Sequence, residues 1–113
     1  MKYVPIVRRV MNLCTSIVSQ DVALDVANPN GDYTWWQISG INRTGVTTTI
    51  EVGLKRGNEF YCFRAGAAAA VDRSIRVFGE ACAPPGFVPC ARFKVAAVGD
   101  ELELVVSGCV GDR

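Results

Sequence analysis

With 113 residues, 50% of them apolar and 20% charged, the chain has room for one domain and enough apolar surface to bury a core without metal or disulfide staples. Its net charge of +1, free of long charge blocks, argues against direct binding to nucleic acid, which needs several clustered cations; the nearest grouping is Lys2, Arg8 and Arg9. There is no histidine, which removes Ser-His-Asp and Cys-His nucleophile systems, histidine general bases and most zinc sites in one step.

Residues 1–12 read as an N-terminal arm or edge strand, ahead of a single β-sandwich domain over 13–113. The apolar tone of this start is broken by Pro5, Arg8, Arg9 and Asn12, unlike a signal-peptide core. No stretch approaches the roughly 20 apolar residues that span a bilayer, so cytoplasmic folding without a membrane partner is expected. Residues 5–18 hold one or two short strands, and Val22, Leu24 and Val26 alternate in the next. Asn28-Pro29-Asn30-Gly31-Asp32 is a dense turn signal. Residues 33–41 form a strand carrying Trp35 and Trp36, with Gly40 marking a bulge. Residues 46–55 are β-rich and lead into Arg56-Gly57-Asn58-Glu59, a tight hairpin. Its register sets Arg56 opposite Glu59, Leu54 opposite Tyr61, Val52 opposite Phe63 and Glu51 opposite Arg64. The alanine-rich segment 66–71 reads as one helical turn or a compact crossover between sheets. Residues 74–78 form another short strand, after which Pro84, Pro85 and Pro89 break regularity. In residues 91–106 two alternating stretches read as a final hairpin, with Phe93 opposite Leu104 and Lys94 opposite Glu103. About eight short strands with frequent turns predict an all-β protein, an antiparallel β-sandwich of jelly-roll or immunoglobulin-like order.

The five cysteines, Cys14, Cys62, Cys82, Cys90 and Cys109, are odd in number and suit free thiols, although Cys82 and Cys90 flank a proline turn that brings a disulfide within reach. No C-x-x-C pair is present, so no metal site or cofactor is expected. Glu101 and Glu103, the best candidate for a carboxylate pair, read as salt partners of Arg92 and Lys94 on a sheet surface, and no catalytic residue is assigned. Tyr33, Trp35 and Trp36 offer aromatic area, but adjacent strand residues face opposite ways, so the two tryptophans do not share a platform. One belongs in the core, and the outward one is a candidate interface anchor. Phe87 and Val88, bracketed by Pro85 and Pro89, are a second candidate, against a loop tucked over its own core.

Several stretches carry a resemblance: Ile50-Glu51-Val52-Gly53, the return Phe60-Tyr61-Cys62-Phe63, and the ending. There Pro85-Gly86, Ala91-Arg92-Phe93, Val98-Gly99-Asp100-Glu101-Leu102 and Val105-Val106-Ser107-Gly108 follow one another. The second half of the chain thus resembles small β-sandwich structural proteins of tailed bacteriophages that decorate the capsid or join head to tail. The resemblance implies a non-enzymatic virion component assembled in the host cytoplasm. Its partners would be major capsid or tail proteins and copies of itself. Lys2, Arg8, Arg9, Tyr33, Trp35, Trp36, Phe87 and Val88 are the interface candidates, with the arm at residues 1–9 reaching onto an acidic neighbour. The alternative is a carbohydrate-binding or adhesion module using Tyr33 and an exposed tryptophan.

Overall fold

In the computed structural model, which describes residues 2–25, 32–68, 74–83 and 86–112, all regular structure is β-strand. The strands are β1 (Lys2–Leu13), β2 (Ser19–Ala23), β3 (Asp32–Asn42), β4 (Thr47–Arg56), β5 (Glu59–Ala68), β6 (Ser74–Ala83), β7 (Val88–Lys94) and β8 (Glu101–Asp112). They form two four-stranded antiparallel sheets, in the orders β1-β8-β3-β6 and β2-β7-β4-β5. First pairs with last, second with seventh, third with sixth and fourth with fifth, as one long hairpin folded over on itself. That nesting is the jelly-roll order. It decides between the two arrangements left open by the sequence, since an immunoglobulin order sets β1 beside β2 in one sheet.

Period-two alternation supplies the core. Ile38, Leu102, Leu104 and Val106 point inward from the first sheet, and Val22, Ile50, Val52, Ala91 and Phe93 from the second. All are buried, and each larger aliphatic or aromatic among them contributes about 1.5–3 kcal/mol by leaving water. Gly40 lies at a close approach of the two sheets: a Cβ there would stand 2.8 Å from Ile50 Cγ2 and 2.9 Å from Ala91 Cβ. Gly40 is therefore a spacer between sheets and not a bulge. The bulge falls at Trp36, the extra residue between the Trp35–Gly108 and Gln37–Ser107 pairs.

Other expectations are corrected. Residues 91–106 are not a hairpin: β7 lies between β2 and β4, while β8 lies between β1 and β3. Phe93 pairs with Gln20 and Ile50, and Leu104 with Val10 and Gly40. Alternation says which side of each strand is dry, but a dry side is served equally by the opposite sheet about 10 Å away. In the β4–β5 hairpin the Arg56–Glu59 and Leu54–Tyr61 pairs hold, then a bulge at Phe63 sets Val52 opposite Arg64 and Glu51 opposite Ala65. Residues 5–18 contribute one long strand and a loop, and β5 runs through Ala68 where a helical turn or crossover was expected; 69–71 lie outside the described residues. The turn at 28–31 and Pro84–Pro85 also lie outside them. Cys90 carries a free, buried thiol and not a disulfide, as do Cys14 and Cys109, while Cys62 is free and exposed.

Candidate functional site

The residues singled out in the sequence disperse over the molecule. Tyr33 and Trp35 stack in the core, ring centroids 5.6 Å apart and planes within 4°, and Phe87 is buried in the same hydrophobic cluster. These three do not supply exposed contact area. Phe87 is tucked inward, with Tyr61 tilted against it and the Arg56 guanidinium 4.6 Å over its ring. Gly108 has no room for a Cβ, which would strike the Thr34 carbonyl oxygen first and then Trp35 Cε3 at 2.9 Å. Trp36, the bulge residue, faces away from the core and is 43% exposed, whereas Trp35 is 1% exposed. Val88 opens β7 half-buried. Residues 2–13 pair with β8 along their whole length, so they form an edge strand and not a free arm. Arg8 and Arg9 are exposed on it, and the side chain of Lys2 lies outside the described residues.

One end of the sandwich has a feature that alternation did not reveal. There the β1–β2 loop (14–18), the β3–β4 loop (43–46) and the β7–β8 loop (95–100) are tied together. Cys14 N donates to the Asp100 carbonyl at 2.8 Å, Gly99 N to the Cys14 carbonyl at 2.9 Å, and Arg43 N to the Glu101 carbonyl at 2.8 Å. The Asp100 carboxylate accepts from Asn42 Nδ2 at 2.9 Å and from Ala97 N at 3.1 Å. Gln20 Oε1 accepts from the backbone of Thr15 and Ser16 while its Nε2 donates to the Leu13 carbonyl, which locks the first loop. From this bonded base Leu13, Ile17, Val18, Val46, Val95 and Val98 stand into water, each more than half exposed. Val95 also has a φ of 60°. A β-branched residue in that left-handed region is a true outlier, and such strain collects at functional segments.

The outer faces of the two sheets carry their charges differently. On the first, Glu103 is fully buried beneath Arg9 and Arg43: Arg9 Nε donates to Oε2 at 2.7 Å and Arg43 Nη2 to Oε1 at 2.8 Å. On the second, Asp21 accepts from Arg92 Nε at 2.7 Å and from Lys55 Nζ at 2.6 Å, and Lys94 Nζ lies 2.8 Å from Glu51. The expected Lys94–Glu103 and Arg92–Glu101 pairs are thus replaced by partners on other strands. The hydrogen bond from Arg43, then that from Arg9, outweighs burial and holds the Glu103 carboxyl below its ordinary range. Burial alone would raise Asp21, but the bonds from Arg92 and Lys55 bring it below its ordinary value as well. Neither is a proton donor at neutral pH. Burial, helped by Asp21, pushes the Cys90 thiol up to about 12, and burial with Glu51 raises Cys62, so thiolate is scarce at both. Among the described residues no group of three or more Cys, Asp or Glu side chains is placed to hold a metal ion.

At the opposite end, where β1 and β3 begin and β8 finishes, a cavity of about 310 Å³ opens between the sheets. Ile6, Leu24 and Val110 wall it together with Tyr33 and Trp35, and Arg8 and Asp25 are its charged lining residues.

The class defined by fold and surface is a jelly-roll β-sandwich with an aliphatic tip at one end and a small cavity at the other. The chain matches no protein-family model, no curated protein and no solved structure.

Proposed function

We propose that this protein is a non-enzymatic structural component of a tailed-bacteriophage particle, binding capsid or tail neighbours through its aliphatic tip. The observation that carries this reading is the tip itself: six aliphatic side chains held in water, Leu13 at the end of β1 and five on three loops whose hydrogen bonds lock them together. A monomer that works alone gains nothing from such a cluster, since exposed apolar patches mark surfaces that are covered in the working state. The loops are already ordered, so docking costs little side-chain or backbone entropy. The jelly roll recurs in viral capsid proteins, which supports the reading by analogy of architecture alone. A patch of standard size, about 800 Å² per partner, would cover the tip and its polar rim.

The test is sedimentation of the chain with tailed-phage heads and tails, alongside light scattering of the free chain over a range of concentrations. The wild type is expected to co-sediment, or to form a discrete homo-oligomer. A triple variant Ile17→Ser, Val18→Ser, Val98→Ser should remain folded by circular dichroism and lose that association. Equal association of wild type and variant, or none by either, would remove the tip from the account.

A further inference from the structure

We propose that the open edge of β1 pairs antiparallel with β1 of a second copy of this chain, about a two-fold axis at Val7. The two first sheets then join into one of eight strands, through a surface separate from the tip. β1 ends the order β1-β8-β3-β6, so among the described residues it is paired on one side only. It keeps an unbroken register with β8 over all 12 of its residues, about twice the usual strand length, with no bulge to twist the edge away. Between Val4 and Leu13 only Ile6 and Val10 are half-buried; the rest are exposed, Val7 to 70%.

Three observations fix which backbone groups face the open side. Hydrogen bonding alternates along an antiparallel strand, and just past the end of β1 the Cys14 N–H donates to the Asp100 carbonyl across from it. Counting back by twos, even-numbered residues bond to β8 and odd-numbered residues turn their N–H and C=O outward. The Val7 and Leu13 carbonyls agree, since they accept from the side chains of Arg8 and Gln20. Pro5 agrees as well, because a strand tolerates proline where the missing N–H faces solvent. Val7, Arg9 and Met11 thus offer a donor and an acceptor each to an incoming strand, and Pro5 an acceptor.

Charge selects the occupant and the register. Arg9 is already neutralised by Glu103, whereas Arg8 and Asp25 are exposed and make no ion pair among the described residues. An axis at Arg9 would set two guanidinium groups directly opposite each other. An axis at Val7 sets valine on valine, Arg9 against Pro5, and Arg8 against Ile6. Arg8 stands across from Val106 on the core-facing side of β1, the side on which Ile6 and Asp25 line one space. Arg8 of each copy therefore arrives beside Asp25 of the other, and releases the Val7 carbonyl to the incoming strand. The two-fold makes this ion pair twice, and an isologous contact of this kind closes at two copies. Antiparallel pairing also sends the two tips to opposite ends of the joined sheet, so both stay free to dock.

The experiment is sedimentation equilibrium of the full chain at micromolar concentrations and low salt, with amide hydrogen exchange of the same samples. The wild type is expected to reach a plateau at twice the chain mass, with the Val7, Arg9 and Met11 amides gaining protection as it does. Val7→Lys places two like charges at the axis and should leave a monomer with an unchanged circular dichroism spectrum. Arg8→Asp and Asp25→Arg should each weaken the dimer roughly tenfold, since symmetry removes two exposed pairs at once. The double variant carrying both should regain it. A wild type monomeric throughout would overturn the proposal. So would a dimer indifferent to Val7→Lys, a double variant no better than its single parents, or a polymer growing with no plateau. The tip variant Ile17→Ser, Val18→Ser, Val98→Ser should still dimerise; were it monomeric, pairing would belong to the tip and not to β1. Co-sedimentation with particles reads the tip and the mass of the free chain reads the edge, so either can fail alone.

Discussion

At Glu103 a carboxylate stands on the outer face of a sheet and is nevertheless withdrawn from water by two guanidinium groups, one from β1 and one from the β3–β4 loop. Its pKa is lower in the folded chain than the ordinary value of 4.5. A group depressed in this way stabilises the fold fully above its unfolded pKa, and that contribution is lost as pH falls through the folded value. Asp21 acts with the same sign below its ordinary value of 3.8. The urea midpoint should therefore hold steady from neutral pH to about 5 and decline below that as the carboxylates take up protons. Glu103→Gln should cost about 1–3 kcal/mol at neutral pH and flatten the acid limb of the profile. Val95 makes the opposite kind of prediction. Its left-handed backbone costs roughly 1–2 kcal/mol, which asparagine avoids in large part. Val95→Asn should raise the melting temperature by about 4 °C for each kcal/mol recovered, while removing one aliphatic side chain from the tip. A gain in stability coupled to weaker association would mark the strain as functional, whereas unchanged melting would show that the loop relaxes around valine.

At the scale of the strand, a missing side chain at Gly40 lets the two sheets approach in the core. Gly40→Ala pushes Ile50 and Ala91 of the facing sheet away from β3, and an extra methyl group in a well-packed core costs about 1–3 kcal/mol. A lowered urea midpoint with an unchanged slope is the expected signature. The β4–β5 hairpin shows how far local pattern reaches. Arg56 and Glu59 do meet, at 3.3 Å, because a two-residue turn fixes the first pairs. Past Gly53 the register shifts: a Cβ at Gly53 would strike the Tyr61 carbonyl, and Phe63 becomes the unpaired residue of the bulge. Nothing in an alternating stretch announces that extra residue.

At the scale of the whole molecule, a long sandwich of 44 × 23 × 19 Å carries different chemistry at its two ends. The tip is expected to govern association with the particle, so variants at the cavity end, such as Asp25→Asn, should leave that readout unchanged. Additivity of this kind is normal for sites that share no partners. Neither site was legible beforehand, because each gathers residues distant along the chain. Leu13 and Val98 look like the ragged ends of strands until the loops at 14–18 and 95–100 are hydrogen-bonded to each other. Arg8, Asp25 and Trp35 share no motif, and only the meeting of β1, β3 and β8 with the residues that follow β2 sets them around one space.

What the sequence determined by itself was local: the presence of strands, the dry side of each, the Gly57-Asn58 turn, and the opposite facing of Trp35 and Trp36. These follow from a two-residue period and from turn chemistry, which act over a few neighbours. Only the tertiary structure decided which sheet each strand joins, and with it the partner of each charge. Arg9 and Glu103, 94 residues apart, meet because the first strand closes on the last. Apolar burial is non-directional and rewards any arrangement that dries the same faces. The choice among them rests on which loops can cross between sheets and on close approaches such as that at Gly40.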